Sequence, residues 1–171
     1  WTARYDYPGD RGDFAGDLVL DASGNVYVAG ISWSLQESDF AVAKYDPEGS
    51  LLWVATCEAA TCGAGDLFRP PAIALDAAGN AYVSGVAMPA DGSEGTLVTF
   101  KLDPQGRRLW VARQPVGSWT THPALEIDSS GNVLVGALTS TTDLGYMTLI
   151  VKYDTEGREL WAVRSERTGA I

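Results

Sequence analysis

The chain has 171 residues, 46% of them hydrophobic, enough to bury a core, and 12 Lys and Arg stand against 22 Asp and Glu, a net charge of −10. That balance argues against nucleic acid, whose phosphates need a basic face, and against anionic membrane surfaces; it suits solubility and leaves room for cation binding. No apolar run approaches the ~18 residues of a membrane span, so no membrane insertion is expected.

The first element is the shortest. The chain opens on Trp1, inside a phrase that returns later, so we expect a piece of a longer product, with residues 1–6 the last strand of a preceding unit. Then comes LVLDASGNVYVAG at 18–30, followed by AKYDPEGSLLW at 43–53. The pair returns as IALDAAGNAYVSG at 73–85 with FKLDPQGRRLW at 100–110, and as LEIDSSGNVLVGA at 125–137 with VKYDTEGRELW at 151–161. The opening Asp recurs at 21, 76 and 128, and the closing Trp at 1, 53, 110 and 161, a period of 51 to 57 residues. A repeat of that length with strands and turns inside it is the signature of a β-propeller blade. We therefore expect an all-β chain of three four-stranded antiparallel blades, at about 15–58, 70–116 and 122–166, plus the leading strand. Three blades fall short of the at least about four of a closed propeller, so an arc of a larger ring or an assembly is expected.

In the first copy the strands read as Asp17–Asp21, Asn25–Ser32, Phe40–Asp46 and Leu51–Cys57. Val26 and Val28 face one way, Tyr27 and Ala29 the other, with both faces apolar or small, as in strands covered on both sides. Asp-x-x-Gly marks six hairpin turns, at Asp21/Gly24, Asp46/Gly49, Asp76/Gly79, Asp103/Gly106, Asp128/Gly131 and Asp154/Gly157. The Asp caps the turn with its side chain and the Gly takes the positive φ that closes a bulged hairpin. A calcium reading of these turns is weaker, since each supplies one regular carboxylate. Trp53, Trp110 and Trp161 open fourth strands and are expected to be buried where blades meet. Lys44, Lys101 and Lys152 recur before the second turn, where a packed stem and an ammonium near a turn carboxylate are expected.

These two phrases, D-x-x-G-N-x-Y/L-V and K-Y/L-D-x-x-G-x-x-L-W, resemble the bacterial SBBP-type β-propeller repeat family across essentially the whole chain. The resemblance implies four-stranded blades, commonly in large secreted or surface-anchored bacterial proteins, and implies no particular activity. The quinoprotein propeller repeat is similar more weakly. It has one more residue between Asp and Gly and a Thr before that Gly, where this chain has Glu48, Gln105 and Glu156.

Cys57 and Cys62 are the only cysteines. With one His in the chain they cannot make a local four-ligand zinc site. Two free thiols are possible; a disulfide is favoured, closing a loop worth ~2 kcal/mol in the chain-entropy model, because an acidic propeller fits a secreted context.

If the six turns share one end of the blades, the variable loops 7–16, 33–39, 58–71, 88–95, 114–123 and 139–146 gather at the other, where function usually lives. Trp33 and Trp119 fall outside the Trp repeat and could stack on a sugar or anchor a protein, or fill gaps beneath loops. His122, before Pro123, and Arg69 are further ligand candidates. Asp10, Asp13 and Asp17 could hold Ca²⁺, or could be solvated acids with a strand cap. Arg11-Gly12-Asp13 is a chance-level match to an integrin tripeptide. No nucleophile elbow, phosphate loop or His-rich metal motif occurs. The reading is a non-catalytic extracellular or cell-surface scaffold or binding module that presents loops to a protein or glycan. Its expected neighbours are further blades of the same polypeptide or copies of itself, and no cofactor is expected beyond possible Ca²⁺. The alternative is the propeller portion of a secreted polysaccharide lyase, glycosidase or quinoprotein.

Overall fold

Twelve strands make up the computed structural model, which describes residues 1–3, 12–33, 38–57, 66–89, 93–118, 120–140 and 145–167, the side chains of 66–70 and 166–167 excepted. They are β1 (Gly12–Leu20), β2 (Val26–Trp33), β3 (Ser38–Tyr45), β4 (Leu51–Cys57), β5 (Asp66–Leu75), β6 (Ala81–Met88), β7 (Gly95–Leu102), β8 (Arg108–Val116), β9 (Ala124–Ile127), β10 (Val133–Ser140), β11 (Tyr146–Tyr153) and β12 (Glu159–Arg167). Consecutive strands pair antiparallel into three four-stranded sheets, β1–β4, β5–β8 and β9–β12. The architecture is all-β, and each sheet is one propeller blade. Among the described residues no helix is long and apolar enough to cross a membrane.

The cores lie between blades rather than within them. Tyr27, Phe40 and Val42 of the first blade meet Ala81, Val83, Val98 and Phe100 of the second. Tyr82, Val86 and Leu97 of the second meet Val133, Val135, Leu149 and Val151 of the third. Neighbours such as Tyr82 and Val83 thus feed opposite cores, which explains strands that are apolar on both faces. Each such large side chain, fully buried, contributes about 1.5–3 kcal/mol. The first strands β1, β5 and β9 lie beside one another, along the inner edge of the arc.

All six turns take the expected form. The turn glycines sit at φ between +79° and +89°. In the first, the Gly24 N–H donates to the Asp21 carbonyl at 3.0 Å, and the Asp21 Oδ1 accepts from Ser23 and Asn25, both at 2.9 Å. Each lysine reaches the first-turn carboxylate of its own blade: Lys44 to Asp21 at 3.5 Å, Lys101 to Asp76 at 3.8 Å, Lys152 to Asp128 at 2.7 Å. The ammoniums of Lys44 and Lys101 also sit 4.6 and 4.7 Å from the ring centres of Tyr27 and Tyr82. The third blade has Leu134 there instead of a ring, and Lys152 closes fully on its carboxylate.

Three expectations need correction. The inner strands β1 and β5 start earlier than the sequence suggested, so Asp13 and Arg69, assigned to loops, stand in strands. Bulges hide them: the register slips between Ala15 and Asp17, and twice in β5, once across Pro70-Pro71, which have no N–H to give to a ladder. The leading strand is not seen at Trp1–Ala3, which belong to no strand, and residues 4–6 lie outside the described residues. Trp53 and Trp110 are partly buried at blade contacts, but Trp161 is 41% exposed, because among the described residues no further blade packs against it.

Candidate functional site

At the turn end the polar groups satisfy one another, and the repeated tryptophans tie blade to blade. Trp53 Nε1 donates to the Pro104 carbonyl at 3.1 Å, and Trp110 Nε1 donates to the Thr155 carbonyl at 3.0 Å. Trp1 makes the same bond to Pro47 at 2.8 Å. In each case the ring covers the glycine of that turn: a Cβ on Gly49, Gly106 or Gly157 would stand 2.6, 2.9 or 2.5 Å from the Trp Cδ2. The glycine is needed twice over, for its positive φ and for the space its missing side chain yields to the indole. Sequence reasoning found both residues and missed that they are partners; their constant offset of about one blade was the signal.

Turn electrostatics are correspondingly closed. Hydrogen bonds from Lys152 and Asn132 hold the Asp128 carboxyl well below the usual carboxylate range. Partial burial pushes the Asp21 and Asp103 carboxyls up, but hydrogen bonds from Asn25 and Ser23, and from Arg107 and Gln105, outweigh it and lower both. Burial pushes the Tyr82 hydroxyl well up, helped by the Asp76 carboxylate that accepts from it at 3.3 Å.

A cavity of about 400 Å³ lies where the inner strands of the three blades converge, lined by Phe14, Asp17, Pro71, His122 and Pro123 among others. His122 is exposed and precedes buried Pro123, whose ring holds the preceding residue extended at the entry to β9. Asp17 is brought to the cavity by the Gly16 bulge. Its Oδ1 accepts the Leu18 N–H at 2.8 Å and its Oδ2 accepts the Ile73 N–H of the next blade at 3.1 Å. Asp17 therefore bridges two inner strands, and its carboxylate is already engaged.

The other candidates scatter. Trp33 ends β2 opposite Gly12 and is 37% exposed. Asp13 lines a second cavity, with Trp1, Val28 and Tyr45, on the outer face of the first blade. Asp13 and Asp17 thus line different cavities, and Asp10 lies outside the described residues. Among the described residues no group of three or more His, Cys, Asp or Glu is placed to hold a metal ion. Arg69 stands in β5 opposite Val86, with its side chain outside the described part, and Trp119 lies outside it entirely. Cys57 is buried at the end of β4, where Arg108 Nη1 donates to its Sγ at 3.4 Å. Cys62 lies outside the described residues. Phe14 and Pro71, which wall the cavity, were not singled out in the sequence; an isolated aromatic and a Pro-Pro pair gave no functional pattern.

No family model matches the chain, and no curated protein matches it. Solved structures do. The α-L-arabinofuranosidase of Fusarium graminearum, with an iminosugar inhibitor, is 12% identical at a TM-score of 0.68, over 95% of this chain and 50% of that one. Its complex with arabinobiose gives 11% identity and 0.68, over 91% and 50%. A Synechocystis apocarotenoid oxygenase variant gives 14% and 0.50, over 91% and 39%. At these identities the likeness establishes the β-propeller fold alone. The chain spans about half the length of the arabinofuranosidase.

Proposed function

We propose that this chain is a non-catalytic propeller module of the SBBP repeat type, working outside the cell or at its surface, that binds a glycan or protein at its loop end. The carrying observation is the contrast between its tryptophans: Trp53 and Trp110 are tied to turns, while Trp33, at the end of β2, makes no such bond among the described residues and is 37% exposed. An exposed indole suits stacking on a sugar ring or an aromatic anchor of a protein, and the cavity of about 400 Å³ lined by Phe14, Asp17 and His122 has room for one or two sugar rings. The arabinofuranosidase solved with arabinobiose is a precedent for carbohydrate on this fold. The reading requires no cofactor.

The test is calorimetric titration with a panel of arabino-, fuco- and gluco-oligosaccharides. Trp33→Ala should weaken any binding by about 1–2 kcal/mol, about tenfold, with an unchanged thermal midpoint. A large fall in the midpoint with binding intact would make Trp33 a packing residue and defeat the reading.

A second reading, the propeller portion of a secreted glycosidase, lyase or quinoprotein, is favoured by Asp17 and His122 lining one cavity. A carboxylate and an imidazole there could share acid and base roles. Turnover of a sugar substrate that Asp17→Asn and His122→Ala each abolish, with the fold intact, would favour this reading over the first.

A further inference from the structure

The inner strands of all three blades break at one place. Asp17, Ala72 and Ala124 each stand four residues before a turn aspartate, Asp21, Asp76 or Asp128. Just ahead of each, the strand carries one residue more than its partner. Gly16 lies unpaired between Ala15 and Asp17, and Pro70-Pro71 oppose Gly85 alone. Residues 121–123 oppose 137–138, between the Thr120–Thr139 bridge and the Ala124–Gly136 pair. Bulges bend a strand and re-aim the side chains beside them. Here Gly16, Pro71 and Pro123, at matching positions of the three bulges, wall the cavity of about 400 Å³.

The frame repeats but its chemistry does not. At the first junction Asp17 reaches the next blade and accepts the Ile73 N–H at 3.1 Å. That N–H leaves the sheet because Ile73 and Val83 form a non-hydrogen-bonded pair. Bonded and non-bonded pairs alternate along an antiparallel ladder, and the Asp76 N–H, three residues on, donates to Asn80. Leu125 is the corresponding residue of the third blade. It pairs with Val135, and Asp128 donates to Asn132, so the Leu125 N–H also points off the inner edge, on the side of β5. There Ala72 stands in the place of Asp17 and offers no carboxylate. The acceptor that the first junction supplies from its own chain is thus missing at the second, beside the cavity that Ala72 and Pro123 line. Both junctions lie inside the chain.

An anion is a poor occupant for that place, since Asp17 lines the same cavity and the chain carries a net charge of −10. The Asp17 carboxylate, with one N–H on each oxygen, keeps lone pairs for a further donor. The walls between are apolar: Phe14, Pro71, Ala72 and Pro123. The fitting group is neutral, with one acceptor, one donor and a small apolar end. Resting on the glycan-binding reading above, we propose that the cavity takes the acetamido group of an N-acetylated amino sugar. Its carbonyl accepts the Leu125 N–H, its N–H donates to Asp17, and its methyl lies against Pro71 and Pro123.

Titration followed by nitrogen-edited nuclear magnetic resonance tests this. N-acetylglucosamine and N-acetylgalactosamine are set against glucose and galactose, which carry a hydroxyl in place of the acetamido group. The N-acetylated sugars are expected to bind at least about tenfold tighter. Their saturation is expected to shift the Leu125 amide signal and to slow its exchange into heavy water. Ala72→Asp supplies the missing carboxylate, so it is expected to raise the thermal midpoint and to remove the preference. Equal affinity for both kinds of sugar, a Leu125 signal that does not move, or an Ala72→Asp chain that keeps the preference overturns the acetamido site and leaves glycan binding standing. The first two readouts need no variant. Binding of none of these sugars, nor of any oligosaccharide in the calorimetric panel, overturns both.

Discussion

Trp110 covers Gly157 across the junction between the second and third blades: its N–H donates to the Thr155 carbonyl at 3.0 Å, and its Cδ2 lies 2.5 Å from where a Cβ on residue 157 would stand. Gly157→Ala should therefore cost about 2–4 kcal/mol, combining the strain of φ +80° with displacement of the indole. Trp110→Ala should cost about 3–5 kcal/mol, and Trp110→Phe less, since it keeps most of the packing and loses the N–H bond. Denaturant unfolding measures all three; a neutral Gly157→Ala would show that the contact carries no stability.

Acid should loosen the turns. Folding lowers the carboxyl pKa values of Asp21, Asp103 and Asp128 below the ~3.9 of an unfolded Asp. Their contribution is present above about pH 4 and is lost as pH falls through the folded-state values. The thermal midpoint should fall between pH 5 and pH 2, all in the ranges these shifts set. Asp128→Asn should lower it at pH 7 and flatten the acid limb. A wild-type midpoint that holds to pH 2 would contradict the account.

Asp17 should matter to stability through the backbone it holds. Asp17→Ala removes the acceptor for the Ile73 N–H and should cost about 1–2 kcal/mol. Equilibrium unfolding reads the loss directly. No loss would leave the carboxylate free for chemistry and strengthen the enzymatic reading.

Cys57 and Cys62 should be joined. Alkylation without reductant, followed by mass measurement, should label neither, and reduction should lower stability by about 2 kcal/mol. Two labelled thiols in freshly isolated protein would contradict the pairing.

The blades were legible because each repeat states its strands by alternation and its turns by Asp-x-x-Gly, both local signals. What stayed hidden was non-local or irregular. The early starts of β1 and β5 are broken by a Gly16 bulge and by Pro70-Pro71, which erase the period of two. The pairing of Trp53 with Gly106, a blade apart, appears only when sheets stack. The candidate site was legible only as a list: Asp17 and His122 share a cavity because inner strands of different blades meet, whereas Asp13 and Asp17, near in sequence, are separated by that bulge.

In this reading the repeated tryptophans are architecture and Trp33 is available to a ligand. Indole N–H exchange into heavy water, followed by nitrogen-edited nuclear magnetic resonance, separates them. The account predicts slow exchange at Trp53 and Trp110, held by turn carbonyls at 3.1 and 3.0 Å, and rapid exchange at Trp33. Rapid exchange at Trp53 and Trp110, or protection of Trp33 equal to theirs, would contradict it.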